Sequence, residues 1–236
     1  MKKFLFLFFS FSVSQSVFAQ KLGVGVRANV HFASQSLPAD VANSLSSFGG
    51  LQNIIGIGIA VPIEISLTDM FSIQPEIMYL QKGAKLAIDV AGVAKIDASQ
   101  KLNYLEVPVL LKVNFLKDAP LGISLLAGPS FGYALSGTNV VTASGSSIPA
   151  TNQTTDEDFK DFARFELGLH GGINLGFALG SGKIILDARY LFGLSNLSSS
   201  ANTSVSIPGT TPTTSTTNDK ITNRGYSIGL GYMIYF

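Results

Sequence analysis

From Leu22 onward, apolar residues take every second position for ten or more residues at a time. A period of two puts successive side chains on opposite faces of an extended strand. In the first stretch Leu22, Val24, Val26, Ala28, Val30 and Phe32 share one face, against Gly23, Gly25, Arg27, Asn29 and His31. The second sets Ile55 to Leu67, alternately, against Gly56, Gly58, Ala60, Pro62, Glu64 and Ser66. The third sets Phe71, Ile73, Pro75, Ile77 and Tyr79 against Ser72, Gln74, Glu76, Met78 and Leu80. The fourth sets Leu105, Val107, Val109, Leu111, Val113 and Phe115 against Tyr104, Glu106, Pro108, Leu110, Lys112 and Asn114. Four more follow, through Ile123–Leu135, Phe165–Phe177, Ile184–Leu194 and Tyr226–Phe236. Their second faces hold Ser124, Gly128, Ser130 and Gly132; Glu166, Gly168, His170, Gly172, Asn174 and Gly176; Asp187 and Arg189; and Gly225 to Gly231. Eight strands are predicted.

The connections alternate as regularly as the strands. Those after the second, fourth and sixth strands are short: residues 68–70, 116–121 and 180–182. Those after the first, third, fifth and seventh are long: roughly 33–53, 83–102, 137–161 and 196–222. Short turns at one end and long loops at the other match a transmembrane barrel with its short side in the periplasm. The sign of the alternation agrees. The second face is mostly Gly, Ser and charged residues, so the apolar face must look outward, into lipid. Aromatics form two girdles: Phe71, Phe115, Phe177 and Phe236 near the short turns, and Phe32, Tyr79, Tyr133, Phe165, Phe192 and Tyr226 near the long loops. The expected fold is all-β, an eight-stranded antiparallel up-and-down transmembrane β-barrel with long extracellular loops.

Composition supports a lipid-facing chain. Of 236 residues, 46% are hydrophobic and only 13% charged, about half the charged fraction of a soluble domain. After the first twenty residues, no apolar run approaches the roughly 20 residues a membrane helix needs. At the N-terminus, Lys2-Lys3, the apolar stretch Phe4 to Val13 and the small-residue spacing at Val17-Phe18-Ala19 read as a signal peptide. The expected division is 1–19 signal peptide and 20–236 barrel domain, exported to the outer membrane of a Gram-negative bacterium. Without Lys2 and Lys3 the chain has 14 basic and 15 acidic residues, no footprint for nucleic acid. Cysteine is absent, which excludes disulfides, thiolate metal sites and a lipid-anchored Cys.

The long loops differ in kind. Residues 84–101 keep alternating around Ala91-Gly92 and predict a hairpin that continues the third and fourth strands beyond the membrane. Residues 137–161 are Ser/Thr-rich and then acidic at Asp156-Glu157-Asp158, and 196–222 is almost wholly Ser, Thr, Asn, Gly and Pro, a composition expected to be mobile. Such loops suit either an external contact surface or hydrophilic shielding of the rim.

Several segments resemble the PorT-like outer-membrane β-barrel family. Tyr104-Leu105-Glu106-Val107-Pro108-Val109-Leu110-Leu111-Lys112 resembles its YLEIPLLLK strand, and Phe71-Ser72-Ile73-Gln74-Pro75-Glu76 its FSLQPE strand, with Gly83 after it. Gly128-Pro129, Asp187-Ala188-Arg189-Tyr190 and Gly193-Leu194 resemble later strands of the family. The resemblance implies the barrel and an accessory role in type IX-like protein secretion, with secretion-system components as partners. Tyr232, Tyr235 and Phe236 look like the C-terminal aromatic signal read by the barrel-assembly machinery.

The inward-facing charges are the concentrated ionisable set: Arg27, Glu64, Glu76, Glu106, Lys112, Glu166, His170, Asp187 and Arg189. An eight-stranded interior is just wide enough for side chains to fill, and buried charges are costly unless paired. A structural salt-bridge plug is the expected reading. A narrow ion or small-solute channel and a lipid-modifying enzyme, using His31 near Ser34 and Ser36 at the outer rim, are the alternatives. The Gly168, Gly172, Gly176, Gly180 series is expected inward, leaving room for the plug. No catalytic, metal or cofactor motif is present, and outer-membrane lipid and lipopolysaccharide are the expected surroundings.

Overall fold

Eight strands close a ring in which each pairs antiparallel with its neighbours. The computed structural model describes residues 21–37, 43, 49–90, 94–115, 121–145, 149–157, 159, 163–197, 203–205, 213–215 and 220–236. The expected signal segment lies outside them, as does most of the loop between 198 and 219. The strands are β1 (Leu22–Ser36), β2 (Leu51–Gln52), β3 (Ile54–Ser66), β4 (Phe71–Val90), β5 (Ala94–Phe115), β6 (Leu121–Gly145), β7 (Thr151–Asp156), β8 (Phe165–Leu179), β9 (Gly182–Gly193), β10 (Thr203–Val205), β11 (Thr213–Ser215) and β12 (Thr222–Tyr235). The ring runs β1–β3–β4–β5–β6–β8–β9–β12 and back to β1. The last pairing aligns Gly23 with Tyr235 and Ser36 with Thr222. Closure leaves no unpaired edge in the membrane, where an unsatisfied backbone group costs several kcal/mol.

Burial follows parity, inverted relative to a soluble barrel. On the outward face Val26, Ile55, Ile57, Ile77, Leu111, Leu125, Ile173 and Leu230 are exposed, and on the inward face Arg27, Glu76, Glu106, Asp187 and Arg189 are 4% exposed or less. Water would not tolerate such a surface; a lipid bilayer requires it. Both aromatic girdles lie on the exposed wall, with Phe71, Phe115, Phe177 and Phe236 at the short-turn end.

Three strands far exceed the 9–11 residues that cross a bilayer: β4, β5 and β6 have 20, 22 and 25 residues. Residues 84–90 and 94–101 pair as the two arms of the expected hairpin, from Gly83–Lys101 to Val90–Ala94, while its expected turn at Ala91-Gly92 lies outside the described residues. Gly83 sits where β4 leaves the membrane. Its φ is +138°, and a Cβ there would lie 2.0 Å from the Gln100 carbonyl oxygen, so only glycine fits. Residues 137–161, expected as loop, are corrected in part: 137–145 extend β6 along β5, and β7 adds to its other side. Their Val and Thr content favours strand, and a neighbouring hairpin provides the template. A register shift between Asn103 and Tyr104, which pair with Ser136 and Ala134, leaves Leu135 as the extra residue and re-aims the strand above it. With β2 paired to the other edge of β4 at Leu86 and Lys85, the projecting sheet is five strands wide. Gly180, expected to face the lumen, instead lies in the β8–β9 turn with φ +59°.

Candidate functional site

The lumen holds three storeys of charge. At the short-turn end, Glu64 of β3 accepts from Lys112 Nζ at 2.8 Å, Tyr235 Oη at 2.9 Å and Ser72 Oγ at 3.0 Å. Asn114 Nδ2 donates to Ser72 Oγ, and Ser124 Oγ to Asn114 Oδ1. Four strands thus contribute to one carboxylate's surroundings. A cavity of about 30 Å³ beside it is lined by Lys112, Asn174, Lys183 and Tyr235.

The middle storey is built on Glu76. Arg27 donates to its two oxygens at 3.1 and 2.8 Å, and Arg189 at 2.9 and 2.8 Å. Gln74 Nε2 adds a bond at 2.6 Å. Asp187 balances the second arginine, 2.7 Å from Arg189 Nε and 3.6 Å from Arg27 Nη1. Arg27 Nε also donates to Asn29 Oδ1 at 2.8 Å. Two cations meet two anions, so this storey is neutral, and it ties β4 to β1 and β9 on other parts of the wall. Paired forks of this kind are the strongest hydrogen-bonded ion pairs available to side chains.

The upper storey has a different balance. Lys82 Nζ lies 3.1 Å from Glu106 and 3.2 Å from Glu166, and 4.8 Å from the centre of the Tyr104 ring. His170 Nε2 lies 3.0 Å from Glu106 Oε1, and Asn223 Nδ2 donates to Glu166 at 3.0 Å. Above them Gln35, Gln100, Asn139 and Glu157 form a polar chain across the mouth, while Phe159 packs on Leu102, Tyr104 and Ala134. A cavity of about 10 Å³ remains among His31, Lys82, Glu106, Glu166 and His170, roughly the room one water needs.

All nine of the inward residues singled out from sequence lie inside the barrel and are at most 4% exposed. The structure distributes them as Glu64 and Lys112 below, Arg27, Glu76, Asp187 and Arg189 in the middle, and Glu106, Glu166 and His170 above. Sequence reasoning missed Lys82, the central cation of the upper storey. The signal was present: the parity of Ser72, Gln74, Glu76, Met78 and Leu80 reaches Lys82 one step later. His31, placed at the outer rim, is 1% exposed and lies within the upper storey. Its ring faces away from Ser34 because β1 alternates. Of the C-terminal aromatics, Tyr232 bonds the Leu179 carbonyl on the outer wall, Phe236 is exposed, and Tyr235 points inward to Glu64.

A family model described as outer membrane protein beta-barrel domain matches residues 18–199. Among solved structures, the outer membrane protein OprG of Pseudomonas aeruginosa is similar, at 10% identity, 92% of this chain, 95% of that chain and a TM-score of 0.45. A major outer membrane protein of Thermus thermophilus shares 15% identity over 91% of this chain and 99% of its own, with a TM-score of 0.43. Ail, the attachment invasion locus protein of Yersinia pestis, shares 9% identity over 91% and 99%, with a TM-score of 0.39. No curated protein matches the chain.

Proposed function

Because the chain belongs to the outer membrane protein beta-barrel domain family, we propose that it is a noncatalytic outer-membrane barrel with a plugged lumen, working through what it presents outside the membrane. The observation that supports a plug is the middle storey. Glu76, Arg27 and Arg189 meet within 3.1 Å across the lumen, and moving an ion through that point means breaking buried, hydrogen-bonded ion pairs. The projecting sheet supports an external role. Eight residues of β4 beyond the membrane, at about 3.3 Å each, reach roughly 25 Å. Its edge strand β7 is exposed along its whole length, and it offers backbone and Thr, Asn and Gln side chains for strand addition by another chain. The role is structural, adhesive or accessory to secretion, in keeping with the resemblance to PorT-like, type IX-linked barrels. In this reading residues 1–19 are a cleaved signal peptide, the surroundings are outer-membrane lipid and lipopolysaccharide, and the barrel-assembly machinery inserts the chain. Catalysis on lipid is disfavoured because His31 and His170 are both walled off inside the barrel.

Planar-bilayer recording of the reconstituted barrel tests the plug: the expected result is no sizeable steady conductance. A steady open current would reverse the reading in favour of a narrow channel. Crosslinking from β7 and the hairpin in intact cells tests the external role, with discrete partner adducts expected from those positions and not from the periplasmic turns.

A further inference from the structure

On the outer wall, at the long-loop end of the seam between β1, β12 and β9, lies a depression of about 200 Å³ lined by Phe32, Ser34, Asn53, Tyr190, Arg224 and Tyr226. We propose that it is a binding site for the phosphate of an outer-leaflet lipid, held by Arg224. The inference rests only on the barrel's seating in the outer membrane, not on the plug.

Three observations converge. First, Arg224 is exposed on the same outward parity as Tyr226 and Ile228. Among the described residues no side chain forms an ion pair with it. The lumen's arginines are paired, so this unpaired guanidinium on the lipid-facing wall stands out. Second, its height is fixed by register. Arg224 pairs across β9 with Phe192 and across β1 with Ser34, one step beyond the pairs of Tyr226 with Tyr190 and Phe32. Aromatic belts mark the headgroup level of a bilayer, so the guanidinium sits at the level of lipid phosphates. Third, the neighbouring groups are suited to an anion. Tyr190 and Tyr226, with ring centroids 5.0 Å apart, make no side-chain hydrogen bond among the described residues, so both hydroxyls are free to donate. Asn53 adds a further donor beside the Ser34 hydroxyl, which donates weakly to the Gln35 carbonyl at 3.5 Å, and among the described residues no carboxylate lines the depression. Phe32 and the tyrosine rings supply an apolar floor for the chain that carries the phosphate. An arginine fork matches phosphate geometry bidentately. A free anion needs no apolar floor, which is why a lipid-borne phosphate is the better fit.

The test is native mass spectrometry of the folded barrel released from neutral detergent, titrated with dioleoyl phosphatidic acid. Dioleoylglycerol, which lacks only the phosphate, and inorganic phosphate are the comparison ligands. A single phosphatidic acid adduct is expected. Arg224→Gln should weaken it about tenfold and Arg224→Lys by less, since hydrogen bonds to charged groups are the stronger class. Tyr190→Phe with Tyr226→Phe, which removes only two hydroxyls, should weaken it about threefold and serves if the Arg224 variants do not fold. Lys101→Gln, an outward cation on β5, should leave binding unchanged. The proposal is overturned if Arg224→Gln binds like the parent, or if Lys101→Gln weakens binding as much. Equal adduct formation by dioleoylglycerol, or displacement of the lipid by equimolar inorganic phosphate, would overturn it as well.

Discussion

Replacing Glu76 by glutamine is the sharpest test of how the interior is held. The side chain keeps its size, but two buried guanidiniums lose the carboxylate they grip through four contacts of 2.8 to 3.1 Å. The middle storey goes from neutral to one net positive charge. Removing one partner of a buried ion pair typically costs about 3–5 kcal/mol. Asp187 remains 2.7 Å from Arg189 and 3.6 Å from Arg27, so the lower end, about 3 kcal/mol, is expected. That is roughly a hundredfold in the folding equilibrium. Urea titration of the barrel in lipid vesicles, with the folded fraction read from its shifted mobility on unheated gels, measures it. The double variant Glu76→Gln/Arg189→Gln restores charge balance and should recover part of the loss, a coupling of about 0.5–3 kcal/mol. A loss below about 1 kcal/mol for Glu76→Gln, the range of solvent-exposed pairs, would refute the argument: the lumen would then be wet and screening its charges.

Other expectations are more local. Gly83→Ala should destabilise the barrel by about 1–3 kcal/mol in the same titration, because alanine cannot hold φ +138° without strain. The hairpin pair Lys85–Asp97, at 3.0 Å with both side chains more than a third exposed, should contribute under about 1 kcal/mol and fade with salt, checked by a double-mutant cycle at low and high ionic strength. Replacing residues 84–100 with a two-residue turn should leave the barrel inserted and heat-modifiable yet remove the cellular crosslinks expected from the projecting sheet. N-terminal sequencing of the protein from outer membranes should begin at Gln20, and a start at Met1 would contradict the cleaved signal.

The barrel was legible because lipid and lumen select opposite chemistries two residues apart, and that contrast survives in one sequence. Ile55, Ile57 and Ile59 against Gly56, Gly58 and Ala60 need no partner to be read. The lumen was legible as a set of charges but not as pairs. Parity states that Arg27, Glu76 and Arg189 face inward, whereas which meets which depends on the shear that brings β1, β4 and β9 to one height. Lys82 escaped because the strand was ended where loop composition began, although β4 in fact runs to Val90. The strand character of 137–145 escaped for a related reason: Thr and Ser read as loop until a template strand lies beside them. The depression at Arg224 was unreadable, since it straddles the seam of β12 with β1, which are adjacent only after the ring closes.

That closure also has a kinetic side. The seam joins Gly23 to Tyr235, about 200 residues apart, so β1 must wait for β12. Bringing such distant segments together costs roughly 3 kcal/mol more chain entropy than closing a ten-residue turn, from the logarithmic growth of loop entropy. Until it happens, the nascent sheet has two raw edges that a membrane cannot solvate and another chain could extend. Insertion should therefore be limited by the zipping of β1 against β12, and a catalyst of insertion would act best by shielding those two edges until they meet.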